Sequence, residues 1–132
     1  MPINTQITQN VGAFNSAVRI LAGSVTITGA TGAILAGSQK GRGFTVAKTG
    51  TGLYTITVSG ASGSLQLLFA EANLIVNAAA GYTVHKLVRT DSTRTVDLQI
   101  STDAAPDTPA HPPAASIIQI FLIVNDVASG QQ

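Results

Sequence analysis

The chain has 132 residues, 45% of them hydrophobic and 10% charged, with a net charge of +1. That length and apolar content fit a single domain with its own core and exclude a disordered polar tail. The absence of cysteine excludes disulfides and cysteine-based zinc sites, and the near-neutral charge supplies no field to draw nucleic acid or an anionic bilayer.

Residues 1–16 scatter Ile3, Ile7, Val11 and Phe14 among Asn, Gln and Thr. They read either as an arm that adds a strand to a neighbour's edge or as a frayed terminus. The first residues carry no basic charge and no apolar stretch of secretory type, so the chain reads as a soluble unit, complete in itself and made without a signal. Residues 17–126 are the expected folded domain, and 127–132 a flexible tail.

Alternation begins at Ser24-Val25-Thr26-Ile27-Thr28, where Val25 and Ile27 share one face. Tyr54-Thr55-Ile56-Thr57-Val58 and Val96-Asp97-Leu98-Gln99-Ile100 repeat it. Period two over five residues, with β-branched side chains dominant, predicts strands that bury one face. Lys48-Thr49-Gly50-Thr51-Gly52 lies between Gly43-Phe44-Thr45-Val46 and Leu53-Tyr54-Thr55-Ile56, which predicts a hairpin. A further strand is expected over Tyr82–Arg89, followed by a turn at Asp91-Ser92-Thr93-Arg94.

Two segments are harder to read. From Leu65 to Ala80, the residues Leu67, Leu68, Glu71, Leu74, Ile75 and Ala78 recur at helical spacing, with Ser64 and Gly81 placed to cap the ends. Leu65, Leu67 and Phe69 also alternate, with a second apolar patch at Leu74-Ile75-Val76. A strand pair is favoured, because a helix would interrupt a ladder of hairpins. From Ala104 to Ala115 the chain carries Pro106, Pro109, Pro112 and Pro113, which remove backbone donors and predict an exposed loop of polyproline character.

The last element, Ile117–Val124, is apolar on both sides. Ile118, Ile120, Leu122 and Val124 alternate with Ile117, Gln119, Phe121 and Ile123. It is far short of the about 20 apolar residues that a membrane-spanning helix needs. As a strand it needs a cover on both faces, and a neighbouring subunit resting on Ile117, Phe121 and Ile123 is favoured over a cover from the same chain. The fold class is therefore all-β, an antiparallel β-sandwich or jelly-roll-like barrel of about seven or eight strands in one domain.

Residues capable of chemistry are few. His85 reads as a sheet histidine, and His111 lies in the proline-rich loop without the rigid support a general base requires. Asp103 and Asp107 flank Pro106 as solvated loop acids rather than a calcium site. Gly29-Ala30-Thr31-Gly32 and Gly41-Arg42-Gly43 match no phosphate-binding pattern and read as turns. Lys40, Arg42 and Lys48 form one basic group, and Lys86, Arg89 and Arg94 another. The plain reading is solubilising charge; the specific one is a patch that meets an acidic protein surface. No catalytic residue, cofactor, metal ligand, nucleic-acid partner or membrane contact is expected.

The segment Gly43-Phe44-Thr45-Val46-Ala47-Lys48-Thr49-Gly50-Thr51-Gly52-Leu53-Tyr54-Thr55-Ile56-Thr57-Val58 resembles small β-sandwich structural proteins of tailed bacteriophages. These are capsid decoration (cement) proteins and the globular heads of fibres. The later order is similar too, with Gly81-Tyr82-Thr83-Val84, a loop and a terminal apolar strand, so the resemblance spans about residues 40–126. The chain departs from fibre proteins in having no shaft, heptad or collagen-like repeat. The resemblance implies a non-enzymatic virion protein on the outer surface of the capsid, a homotrimer bound to the major capsid protein and stabilising the head. Ile117, Phe121 and Ile123 are then the expected subunit contact, and Ile3, Ile7, Lys40, Arg42 and Lys48 the expected capsid contact. A receptor-binding head of a tail fibre or spike is the alternative. A small cell-wall hydrolase, with Asp97 and Asp103 as its acids, is the third.

Overall fold

A computed structural model describes residues 18–59, 65–76 and 81–126. Eight strands follow in order: β1 (Val18–Thr28), β2 (Ala33–Ile34), β3 (Phe44–Gly50), β4 (Leu53–Val58), β5 (Leu65–Ile75), β6 (Tyr82–Thr90), β7 (Thr95–Thr102) and β8 (Ile117–Asp126). A 3-10 turn at Asp91–Thr93 joins β6 to β7. The strands form two four-stranded sheets, β2-β1-β8-β5 and β3-β4-β7-β6. Every pairing is antiparallel. No described strand joins the two sheets, so the architecture is a sandwich and the barrel alternative is set aside.

The inner faces of both sheets make one core. The first sheet contributes Leu21, Val25, Ile27, Leu67, Ile118, Ile120, Leu122 and Val124; the second contributes Phe44, Tyr54, Ile56, Val58, Val96, Leu98 and Ile100. These are the residues that alternation assigns inward, because side chains two apart leave a strand on the same side. The predicted arm (1–16) and tail (127–132) lie outside the described residues.

Three expectations need correction. The first strand begins at Val18, not Ser24, and its extra residues pair with β8 through Val18↔Asn125 to Gly23↔Ile120. Leu65–Ile75 is one strand rather than a pair, and its register slips between Leu67 and Phe69. Leu68 is the extra residue of a bulge, so the inward series runs Leu67, Ala70, Ala72, Leu74.

The third correction concerns the proline-rich loop, which is not simply exposed. Residues 103–108 face water, but Pro112 is buried and residues 109–111 are half-buried. Pro109 bridges Ser101, the Ala110 amide donates to the Ile100 carbonyl (2.9 Å), and the Ala115 amide donates to the Ile27 carbonyl (2.8 Å). The loop thus crosses from the second sheet to the first and closes one end of the sandwich. Prolines suit that path, since they lose little conformational freedom when fixed.

Tyr54 anchors the same end. Its ring is fully buried and its hydroxyl donates to the Gly32 carbonyl at 2.5 Å. Burial pushes its pKa up to about 12, because the phenolate would be stripped of water. Unfolded tyrosine titrates near 10, so the native state holds the proton more tightly between pH 10 and 12. The associated stability is complete below pH 10 and falls by about 1.4 kcal/mol per pH unit above it. Tyr54→Phe is expected to lose about 1 kcal/mol at neutral pH. It should also flatten the alkaline decline in urea midpoint relative to the parent chain.

Candidate functional site

Side chains on the outer faces differ sharply between the two sheets. The second sheet turns out Thr45, Ala47 and Thr49 from β3, Leu53, Thr55 and Thr57 from β4, Thr95, Asp97 and Gln99 from β7, and Lys86 and Val88 from β6. Thr55 donates to Asp97, and Lys86 lies 3.8 Å from Asp107. Apart from Leu53, Val88 and Ala47, this face is made of hydroxyls, an amide and charges and sits comfortably in water.

The outer face of the first sheet carries more large apolar side chains, with polar ones between them. Strand register sets its side chains in rows across β1, β8 and β5: Ile20–Ile123–Phe69, then Ala22–Phe121–Glu71, Ser24–Gln119–Asn73 and Thr26–Ile117–Ile75. Ile20 is 66% exposed, Ile75 47%, Phe69 46% and Phe121 37%, which is high for large apolar side chains in strands. Phe69 and Phe121 meet edge to face with ring centroids 6.0 Å apart. Beside them lies a depression of about 220 Å³ lined by Glu71, Asn73, Gln119 and Phe121. Ile20, Ile123, Phe69 and Phe121 make one apolar cluster, and the polar row Ser24–Gln119–Asn73 separates it from Ile117 and Ile75; apolar clusters set among polar groups are the usual character of a protein–protein contact.

Ile117, Phe121 and Ile123 therefore share the outer side of β8, Phe121 and Ile123 in adjacent rows and Ile117 beyond the Gln119 row, with Ile117 and Ile123 half-buried by their neighbours. Ile20, Phe69 and Ile75 lie on the same outer face; the sequence placed none of them there, and Phe69 was expected on the face of Leu65 and Leu67. The signal for Ile20 is the Ile20-Leu21 pair, which no one-faced strand explains. Phe69 and Ile75 were hidden by the bulge at Leu68.

The basic group divides. Lys40 and Arg42 are exposed just before β3, whereas Lys48 lies near its other end and donates to the Thr31 carbonyl at 2.6 Å. Arg89 donates to the Leu67 carbonyl and Lys86 faces Asp107, so neither stands as an open phosphate contact. Ile3 and Ile7 lie outside the described residues.

His85 Nε2 is 2.7 Å from Thr83 Oγ1 and 3.4 Å from Asp103 Oδ1, and the Thr83 hydroxyl donates to the same carboxylate oxygen. Both partners crowd one ring nitrogen. A nucleophile–base–acid relay instead needs them on opposite nitrogens. His111 is half-buried by the loop packing, with Nδ1 enclosed. Among the described residues there is no group of three or more His, Asp and Glu able to hold a metal, and no helix long and apolar enough to cross a membrane.

Comparison with protein families, with curated proteins and with solved structures finds no match for this chain.

Proposed function

We propose that this protein is a non-enzymatic structural component of a tailed-phage virion, a decoration protein that sits on the outside of the capsid and associates with itself as a homotrimer. The observation that carries the reading is the apolar outer face of the β1-β8-β5 sheet. Burying side chains such as Ile20, Phe69 and Phe121 contributes roughly 1.5–3 kcal/mol each, and a closed ring of three copies uses the patch three times. Permanent association suits a low-charge, threonine-rich sandwich better than turnover does.

In this reading the first 16 residues, with Ile3 and Ile7, reach the shell together with Lys40 and Arg42. Lys48 contributes less, because its ammonium already serves the turn at Thr31. The test is to add the purified protein to emptied capsids and image the particles with and without it. Extra density at symmetry-related points of the outer surface is expected, and removal of residues 1–12 should lower its occupancy at least about tenfold, as losing two buried isoleucines implies. Bare capsids at saturating protein overturn the role. Unchanged occupancy after the deletion overturns the arm.

A receptor-binding head of a fibre or spike is the second reading. It is favoured by a depression of about 420 Å³ on the second sheet, lined by Thr49, Leu53, Thr55, Lys86, Val88, Asp97 and Gln99. Labelled protein that decorates host cells and ignores capsids would select it.

A further inference from the structure

Among the described residues no strand pairs with the outer edge of β5, and that edge is made differently at its two ends. At Leu67 the chain closes the edge with its own side chains. The Leu67 amide points at Asp91 Oδ1 (3.4 Å), and the Leu67 carbonyl accepts from the Arg89 guanidinium (2.5 Å). Residues that share a face of a strand also share the direction of their backbone groups. Ala70, Ala72 and Leu74 lie on the inward side with Leu67, so their N–H and C=O groups point out of the sheet as well. Between Phe69 and Ile75 this edge carries no proline and no lysine, and its one charge is Glu71. Those are the residues with which sheets ordinarily blunt an edge, and here they are missing.

We infer that this edge pairs with the same edge of a second copy, antiparallel and centred on Ala72. The segment Phe69-Ala70-Glu71-Ala72-Asn73-Leu74-Ile75 is complementary to itself when reversed. A twofold axis at Ala72 sets Phe69 opposite Ile75 of the second copy, Glu71 opposite Asn73, and Ala70 opposite Leu74. Apolar meets apolar, a carboxylate meets an amide, and the two glutamates are kept off each other's row. Ala72 and the two Ala70–Leu74 pairs then exchange about six backbone hydrogen bonds.

Two further features fit the same pairing. A depression of about 280 Å³ lies beside the edge, lined by Leu67, Ala70, Leu87, Arg89 and Val96. The Leu74 side chain of the second copy, opposite Ala70 and turned inward, arrives there. The strand also stops at Ile75, so the incoming strand ends before it would meet the Arg89 and Asp91 caps at Leu67. The contact uses the edge rather than the apolar face, and on a shell it would tie one trimer to the next.

The experiment uses Ile20→Asp as parent, which removes face packing two strands away and leaves β5 intact. Sedimentation of this chain is expected to show a reversible monomer–dimer equilibrium. Asn73→Glu places like charges opposite each other twice per dimer and should weaken association about tenfold; Asn73→Lys should tighten it by a similar factor. Glu71→Lys with Asn73→Glu should restore it. Asn73 and Glu71 are both exposed, so the fold is spared. Amide exchange at Ala70, Ala72 and Leu74 should slow as concentration rises. A parent that stays monomeric at several hundred micromolar overturns the pairing, as does a dimer whose three edge amides exchange unchanged. So do the two Asn73 variants moving affinity the same way. Loss of the trimer in the unmodified chain would count against the face contact alone.

Discussion

Ile20→Asp in the full chain is expected to dissolve the proposed trimer while the sandwich stays folded. Ile20 is 66% exposed at the β1 end of an apolar row with Ile123 and Phe69, so its side chain supports no intrachain core. In the assembly, a carboxylate at that position loses the burial of isoleucine and must also be desolvated or solvated by an opened contact. Together these cost about 3 kcal/mol or more for each subunit contact, a weakening of over a hundredfold. Sedimentation at micromolar concentration reads the loss of trimer, and an unchanged urea midpoint shows that the monomer is intact. On the proposed role, capsid occupancy should fall with it, since many weak contacts add up only in a closed assembly. A trimer that survives Ile20→Asp places the subunit contact elsewhere.

Gly52→Ala is expected to unfold the closed end of the sandwich, with a loss of about 3–5 kcal/mol and a fall in Tm of about 10 °C or more. Gly52 has φ +65, and a Cβ there would lie 2.5 Å from the Ala110 carbonyl oxygen, 2.6 Å from the Ala110 nitrogen and 2.6 Å from the Ile100 carbonyl oxygen. All three are backbone atoms, so no side chain can swing aside. Relief requires the proline-rich loop to lift, which breaks the Ala110–Ile100 hydrogen bond and strains that from the Ile100 amide to the Gly52 carbonyl. Gly37→Ala is the matched control. Its φ is +73, but nothing lies within 4 Å of the added carbon. The strain of a left-handed alanine alone costs about 1 kcal/mol, so the difference between the two variants measures the crowding under the loop. Calorimetry that finds them equal would mean that the loop does not press on the hairpin.

Much of the fold was legible in the chain because alternation survives in short strands with one wet face. Val25 and Ile27, Tyr54, Ile56 and Val58, and Val96, Leu98 and Ile100 all point inward as their spacing requires. Where one residue breaks the period, the reading blurs. Leu68 shifts the parity of β5, and Phe69 and Ile75 pass to the outer face without a visible rule. The outer half of β8 was recognised from Ile117, Phe121 and Ile123. The patch they belong to was not, because it is assembled from three strands whose order along the sheet bears no relation to their order along the chain.

The proline-rich loop and the basic residues show the same divide. Four prolines announce a segment that is neither helix nor central strand, which is a local property. That this segment packs across Gly52 and joins Ile100 to Ile27 depends on where two distant strands end. Likewise, Lys40, Arg42 and Lys48 are near in sequence, but an extended strand carries Lys48 away from the other two and gives it to Thr31. The chain by itself determined the class of element, the inward residues and the apolar surplus of the last strand, since these follow from composition and period over a few neighbours. Only the tertiary structure decided which exposed side chains share a surface and which edge stays open, because strand order and register are set by the packing of both sheets together.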